Sequence, residues 1–398
     1  MKILQYLIFS LSFISCAQIC VAEALFDTTI KPADAKPETY IYLLANKRVA
    51  LVINQTSVVG NESLLDILLK KNVAVKKILV PEHGFRGRED AGAHIDNSLD
   101  SATGLPVISL YGSHKKPKPE DLAGIDVVVY DLQDVGARFY TYISTLEYCM
   151  EACAENHVQL IILDRPNPNG FYVDGPILEK ENKSFVGMQA IPVVYGMTAG
   201  EYANMLAGEK WFANAADLDF KVVKCINYKH ASKYRLPVAP SPNLKTMGAV
   251  YAYPSLCLFE GTAVSVGRGT DMPFMQYGAP ELEGKFSYSF TPRSMEGAKS
   301  PPYENKRCYG ELLGVDAGHI LKKTTGGFQI SWVIKAYQAY PDKDKFFNSF
   351  FIKLSGTSKL EPQIKKGDTE EMIRKSWADD LRTFKVIRKR YLLYPDFE

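Results

Sequence analysis

The sequence predicts an α/β protein that begins with a mostly parallel sheet covered by helices on both faces. Short, unbroken apolar runs alternate along the chain with segments that have the apolar periodicity of helices. Unbroken runs are typical of strands covered on both faces, and their alternation with helices is typical of βαβ units. Beyond Lys210, prolines, glycines and tyrosines become frequent, which predicts a second, smaller α+β domain.

Five strands and three helices are expected in the first domain. The strands are residues 49–53, 75–80, 107–110, 126–130 and 160–163. The helices are residues 64–69, residues 139–155, and a segment that opens at the capping box Thr198-x-x-Glu201 and runs through Leu206. We therefore expect the sheet domain to span residues 40–215 and the smaller domain to span residues 216–398.

Residues 1–24 are expected to be a signal peptide rather than part of the fold. Lys2 precedes an apolar run from Ile3 to Cys16, which is too short to cross a bilayer stably and is typical of a secretion signal. Cleavage at the small-x-small pattern of residues 22–24 is favoured, because Phe13 fits poorly in a lipobox ending at Cys16. We expect an exported protein, periplasmic or secreted, without a membrane span; a lipid anchor at Cys16 is the alternative.

Composition and motif spacing exclude several classes of partner. The formal net charge is +2 and the pI is about 8.0, without the clustered basic face that is typical of nucleic-acid binding. No Cys-x-x-Cys pair occurs, and His83, Glu89, Asp90 and His94 lack the spacing of the HExxH metal motif. We expect no nucleic-acid partner, no metal and no other cofactor.

Polar side chains follow four of the five predicted strands, at the edge where open parallel sheets bind ligands. These candidates for binding or catalysis are Asn54, Gln55, Glu82, His83, Arg86, Asp131, Gln133, Arg138, Asp164 and Arg165. Glu82 lies in a glycine-flanked turn and is the candidate general acid; the alternatives are that it caps the turn or pairs with Arg86. Asp131 is either a second catalytic carboxylate or a partner of substrate hydroxyls.

Two of the other candidates, Arg165 and Tyr142, have two interpretations each. Arg138 and Arg165 are suited to bind a substrate carboxylate with two parallel hydrogen bonds, although Arg165 also fits a structural ion pair with Asp164. Tyr142 either stacks on a sugar ring or belongs to the core.

Several longer motifs carry a family resemblance. They include Pro81-Glu82-His83-Gly84-Phe85-Arg86-Gly87, Asp131-Leu132-Gln133-Asp134-Val135-Gly136-Ala137-Arg138, Leu163-Asp164-Arg165-Pro166-Asn167-Pro168, Leu258-Phe259-Glu260-Gly261-Thr262 and Gly267-Arg268-Gly269-Thr270. These motifs resemble the exo-β-N-acetylmuramidases, glycoside hydrolases formerly described as a domain of unknown function. The resemblance covers nearly everything after about Tyr40.

The resemblance implies a Rossmann-like first domain, a smaller second domain and a cleft between them. It implies an exo-acting enzyme that releases N-acetylmuramic acid from the non-reducing end of peptidoglycan-derived oligosaccharides, with Glu82 as the catalytic acid. Glu260 and Arg268 are expected to contact the substrate, Arg268 from a Gly-Arg-Gly segment flexible enough to close over it. The lactyl ether of muramic acid carries the carboxylate that Arg138 or Arg165 is expected to bind.

The sequence leaves alternatives for the second catalytic group and for the function. The second catalytic group is Asp131, Glu260 or the substrate's own 2-acetamido oxygen. A periplasmic sugar-binding protein would use the same two-domain cleft, because a fold does not dictate its function. A metal-dependent glycan deacetylase or phosphatase would act on the same substrates.

Overall fold

The structure is a computed structural model that describes residues 25–82, 84–85, 97–324 and 327–398. The expected signal peptide, Cys16 included, and the candidates His83 and Arg86 lie outside the described residues. Within those ranges, no helix is long and apolar enough to cross a membrane.

Seven strands form the main sheet. The first nine strands of the chain are β1 (Arg48–Ile53), β2 (Val58–Val59), β3 (Glu62–Ser63), β4 (Ala74–Val80), β5 (Ser98–Leu99), β6 (Pro106–Ser109), β7 (Val127–Asp131), β8 (Gln159–Leu163) and β9 (Phe220–Val223). The sheet has the order β5-β6-β4-β1-β7-β8-β9, in which only β5 is antiparallel to its neighbour, and β2 pairs with β3 in a separate hairpin. The six parallel strands therefore have the doubly wound order 3-2-1-4-5-6, which confirms the Rossmann-like sheet.

Side chains of the central strands alternate between two cores, because successive residues of a strand point to opposite faces. The helices of this domain are α1 (Leu64–Lys70), α2 (Pro119–Leu122), α3 (Tyr142–Glu155) and α4 (Ala199–Gly208). Val49 and Leu51 of β1 face a core shared with α1, whereas Ala50 and Val52 face a larger core shared with α3 and α4. Helices on both faces of the sheet are thus confirmed.

Two helix starts illustrate how far the sequence predicts local structure. The capping box is confirmed, because Thr198 Oγ1 accepts from the Glu201 amide at 3.2 Å and Glu201 Oε2 accepts from the Thr198 amide at 2.9 Å. Helix α3 begins at Tyr142 rather than at Phe139. The preceding segment forms turns, in which Asp134 Oδ2 accepts from the Gly136 amide at 2.7 Å.

The second domain combines a small antiparallel sheet with short helices, which confirms the α+β expectation. Its strands, in the order β10-β12-β11, are β10 (Gln276–Ala279), β11 (Tyr288–Phe290) and β12 (Cys308–Leu312). The helices after β9 are α5 (Met247–Leu256), α6 (Ala317–Thr324), α7 (Ser331–Ala339), α8 (Phe350–Ser355), α9 (Leu360–Lys366), α10 (Glu370–Lys375) and α11 (Ala378–Lys389).

The sheet domain extends beyond the boundary expected between residues 215 and 216. Strand β9 lies after that boundary, yet it pairs in parallel with β8. It is a half-exposed edge strand that carries Lys221, so it lacks the unbroken apolar run by which the other strands were recognised. The C-terminal tail also returns to the sheet domain, where the Tyr394 hydroxyl donates to Asp164 Oδ2 at 2.6 Å.

Candidate active site

A cavity of about 660 Å³ lies between the two domains, at the carboxyl ends of the parallel strands. Its volume is within the range of roughly 300–1,000 Å³ that small-molecule sites occupy. The segments after β4, β6 and β7 contribute Glu82, Tyr111 and residues 139–142 to its lining. The second domain and α5 contribute Tyr253, Cys257, Glu260, Arg268, Phe274, Pro301, Pro302, Phe350 and Leu354, among others. The expected cleft is therefore present.

Glu82 is oriented at this cavity by two hydroxyl groups. The turn that carries it closes where the Gly84 amide donates to the Pro81 carbonyl at 3.1 Å. Gly84 has a φ of +72°, a conformation that glycine adopts without strain. The Tyr111 hydroxyl donates to Glu82 Oε1 at 2.9 Å, and the Thr141 hydroxyl donates to Oε2 at 3.0 Å. Both carboxyl oxygens are thus held in place while the half-buried side chain lines the cavity.

Tyr111 remains a hydroxyl donor at any physiological pH. Burial and the neighbouring Glu82 carboxylate raise the pKa of Tyr111 well above its usual value. A hydroxyl also accepts a hydrogen bond, so Tyr111 accommodates Glu82 both as a carboxylate and as a carboxylic acid. This property suits a residue that must exchange a proton.

Tyr142 lies in an aromatic wall of the cavity. Its ring centroid is 4.8 Å from that of Tyr140, which in turn is 5.9 Å from Tyr253, and both pairs are edge-on. The Tyr253 ring packs against Phe274 at 5.0 Å. The Tyr142 hydroxyl accepts from Asn54 Nδ2 at 2.8 Å, so Asn54 contacts the wall. Tyr142 belongs to the core and lines the cavity at once, and such rigid rings suit the apolar face of a sugar.

Glu260 and Arg268 form an ion pair in the lining contributed by the second domain. Arg268 Nε donates to Glu260 Oε1 at 2.5 Å, and the two side chains are 18% and 24% exposed, respectively. The guanidinium carbon lies 5.0 Å from the centroid of the Phe274 ring. Glu260 is a second carboxylate at the cavity, but one that already has a cation as its partner.

Asp131 and Arg165 are buried away from the cavity lining. Arg165 donates to Asp131 Oδ1 at 2.6 Å and to Oδ2 at 2.9 Å, and to Asp34 Oδ2 at 2.5 Å. All three side chains are at most 3% exposed. This corrects the expectations that Asp131 is a second catalytic carboxylate and that Arg165 binds a substrate carboxylate, because each already has its charge partner inside the protein.

Arg138 is likewise structural. Its side chain is fully buried and donates to four backbone carbonyls, those of Pro176, Ile191, Leu354 and Ser355, at 2.7–2.9 Å. Leu354 and Ser355 end α8, where carbonyls without helical partners attract a cation. Burial lowers the pKa of Arg138 to about 9. Arg138 thus fastens the second domain to the sheet domain, which corrects its expected role as a carboxylate ligand.

Three further strand-end candidates also join segments of the chain. Gln133 Nε2 donates to the carbonyls of Asp134 and Pro166, and Gln55 Nε2 donates to those of Ala239 and Pro240. Asp164 accepts from the Thr198 hydroxyl at 2.7 Å and from the Gly200 amide at 2.8 Å, at the start of α4. Burial raises the pKa of Asp164 to about 6. None of the three is among the described residues that line the cavity.

Comparison with known proteins identifies the family. The family model described as "Exo-beta-N-acetylmuramidase NamZ, N-terminal" matches residues 49–248, and the corresponding C-terminal model matches residues 251–394. The chain belongs to the exo-β-N-acetylmuramidase family. The two matches meet within α5, which agrees with the position of β9 inside the sheet domain.

Relatives of this exo-β-N-acetylmuramidase family member match it over most of its length. The "Peptidoglycan beta-N-acetylmuramidase NamZ" of Bacillus subtilis (strain 168) is 38% identical, and the match covers 88% of each chain. A crystal structure of a DUF1343 family protein from Bacteroides fragilis is 46% identical with a TM-score of 0.85, covering 92% of this chain and 99% of that one. A second DUF1343 structure from the same species is 29% identical with a TM-score of 0.74, covering 92% of this chain and 100% of that one.

Some cavity residues of this exo-β-N-acetylmuramidase family member were not among the sequence candidates. Tyr111 and Thr141 hold Glu82, and the rings of Phe185, Phe274 and Phe350 line the cavity. Tyr111 directly follows a predicted strand, which was the signal that would have indicated it. The described residues contain no group of three or more His, Cys, Asp or Glu side chains arranged to hold a metal ion.

Proposed function

We propose that the protein is an exo-acting glycoside hydrolase that releases N-acetylmuramic acid from the non-reducing end of peptidoglycan fragments. The observation that carries this proposal is the position of the Glu82 carboxyl group, which Tyr111 and Thr141 orient at an aromatic-lined cavity. Family membership and the B. subtilis relative support the substrate.

Glu82 supplies the proton that cleavage of a stable glycosidic bond requires. As a carboxylic acid it donates a proton to the glycosidic oxygen, so that the departing sugar leaves as an alcohol rather than as an alkoxide. The hydroxyls of Tyr111 and Thr141 hold the group before and after the transfer, because each can donate or accept. With Asp131 buried in an ion pair, the candidates for the second catalytic group are Glu260 and the 2-acetamido oxygen of the substrate.

The proposed activity predicts which synthetic glycoside the purified protein cleaves. We expect release of 4-nitrophenol from 4-nitrophenyl β-N-acetylmuramide and none from the matching N-acetylglucosaminide, in buffer that contains a chelator. Retention of activity with chelator separates this enzyme from a metal-dependent deacetylase or phosphatase. Absence of release from both glycosides, together with a rise in melting temperature on addition of N-acetylmuramic acid, would instead support a sugar-binding protein.

Export is part of the same proposal. The apolar run from Ile3 to Cys16 supports it, as does the extracytoplasmic position of peptidoglycan. Sequencing the N-terminus of the mature protein tests it: a new start near residue 25 indicates cleavage and a soluble product, whereas a blocked, acylated Cys16 indicates the lipid anchor. An intact Met1 on the mature protein would contradict export.

A further inference from the structure

Arg268 is the one cationic side chain among the described residues that line the cavity. The arginines that the sequence offered for a substrate carboxylate, Arg138 and Arg165, are buried and have their hydrogen-bond partners inside the protein. Among the described lining residues, Arg268 therefore provides the positive charge that an anionic ligand in this cavity contacts.

The position of Arg268 is fixed by the backbone on either side of it. Gly267 and Gly269 have φ values of +77° and +80°, which favour glycine. A Cβ at Gly267 would lie 2.7 Å from the Gln276 side chain, and one at Gly269 would lie 2.5 Å from Pro301. The Gly-Arg-Gly segment is thus a tightly packed turn, which corrects the expectation of a flexible segment that closes over the ligand.

Among the described residues, the Arg268 guanidinium group is held along one edge only. Glu260 Oε1 accepts from Nε at 2.5 Å, and the Phe274 ring lies 5.0 Å from the guanidinium carbon. Within the described residues, Glu260 is the hydrogen-bond partner of the Arg268 side chain, and it accepts from Nε. The N–H groups of the two terminal nitrogens can therefore donate to a ligand. The planar end of an arginine presents parallel N–H groups that match the two oxygens of a carboxylate.

We propose that Arg268 selects muramic acid by binding its lactyl carboxylate through the terminal amino groups, while Glu260 positions the guanidinium. This inference rests on the proposed function and names the group of the substrate that the cavity recognises. N-acetylmuramic acid differs from N-acetylglucosamine by this carboxylate-bearing ether. An arginine that a neighbouring glutamate already holds in its binding conformation loses little conformational freedom when the ligand binds.

The test crosses two substrates with two enzymes. The substrates are 4-nitrophenyl β-N-acetylmuramide and its analogue with a lactyl amide in place of the carboxylate; the enzymes are the wild type and Arg268→Gln. Because charge-assisted hydrogen bonds are roughly twice as strong as neutral ones, we expect the wild type to prefer the carboxylate about 10- to 100-fold in kcat/KM. In Arg268→Gln this preference should fall to within about threefold, mainly through a higher KM for the carboxylate substrate.

Arg48→Met is the matched control. Arg48 is also an arginine paired with a carboxylate, that of Asp126, but it lies on the surface and is not among the residues that line the cavity. It should keep the wild-type preference. If Arg268→Gln loses equal activity on both substrates, or keeps the full preference, the inference is overturned. The same holds if Arg86→Gln abolishes the preference while Arg268→Gln keeps it.

The outcomes separate this inference from the proposed function. Failure of the wild type to cleave the muramide defeats the proposed function, whereas cleavage with an unchanged preference in Arg268→Gln defeats the inference alone. Should Arg268→Gln not fold, as judged by its thermal unfolding, Arg268→Lys keeps the charge but lacks the planar pair of donors. We then expect a preference between that of the wild type and none, and a wild-type preference would overturn the inference.

Discussion

Replacing Glu82 by glutamine is expected to lower kcat/KM for a MurNAc-GlcNAc disaccharide by about 100- to 10,000-fold, the usual contribution of a positioned general acid. Glutamine has almost the same shape as glutamate, and its amide can bond with the hydroxyls of Tyr111 and Thr141 that hold Glu82. The variant should therefore fold normally and bind substrate, but it has no proton of suitable acidity to donate. Steady-state kinetics and thermal unfolding of the same preparation measure both properties.

The leaving group provides the control for this first prediction. A 4-nitrophenolate departs readily without a proton, so Glu82→Gln should lose much less activity on the nitrophenyl muramide than on the disaccharide. Glu62→Gln, which alters a glutamate paired with Lys70 on the surface, should behave as the wild type on both. Equal losses of Glu82→Gln on both substrates would show that Glu82 does not protonate the leaving oxygen.

Replacing Arg165 by methionine is expected to lower the free energy of unfolding by about 3–5 kcal/mol, because it leaves buried carboxylates without their cation. Asp34 and Asp131 both contact this guanidinium and are fully buried. Burial raises the pKa of Asp34 to about 7, even though Arg165 lies beside it. A carboxyl group whose pKa is raised by folding costs stability as pH rises from its unfolded value towards its folded value. In Arg165→Met the guanidinium that lowers the pKa of Asp34 is absent, so that pKa rises further and the loss of stability should be larger at pH 8 than at pH 5.

Urea unfolding of Arg165→Met and Arg48→Met at both pH values measures this second prediction. Arg48 also binds an aspartate through two of its nitrogens, but its side chain is 54% exposed and that of Asp126 is 37% exposed. Its replacement should cost only about 0–1 kcal/mol. A normal unfolding free energy for Arg165→Met, combined with a raised KM for the muramide, would instead support the substrate-binding role that the sequence suggested.

The sheet was predictable because its strands differ strongly from the rest of the chain. Residues 49–53 and 127–130 are unbroken apolar runs, and the structure confirms that they lie in the central strands β1 and β7. Strand β9 was missed because an edge strand needs no such run. The second domain was predicted only in outline, since its strands have three to five residues and most of its helices have fewer than ten, too few for a clear pattern.

The strand-end rule found Glu82 but could not separate it from its neighbours. Position in the sequence shows which residues follow a strand, but not whether the chain then turns towards the cavity or into the core. Glu82 turns to the cavity, whereas Asp131 meets Arg165 in the interior. The partner Asp34 comes from the N-terminal segment, more than 90 residues away, and no local pattern could indicate it.

The arginines show the same limit. Arg138 was chosen because arginine binds carboxylates, yet it binds the carbonyls that end α8, more than 200 residues along the chain. Arg268 was assigned to a flexible loop, because glycines on both sides suggested mobility. Both glycines instead have positive φ in a packed turn, which only the folded structure can show.

The most direct measurement is product analysis by mass spectrometry with two isomeric tetrasaccharides, in which the alternating sugars begin with N-acetylmuramic acid in one and with N-acetylglucosamine in the other. From MurNAc-GlcNAc-MurNAc-GlcNAc the protein is predicted to release free N-acetylmuramic acid and a trisaccharide, because the exo-acting cavity takes the terminal sugar. The isomer that begins with N-acetylglucosamine should remain intact. Disaccharides released from the interior of either chain, or no free N-acetylmuramic acid from the first, would contradict the exo-muramidase function.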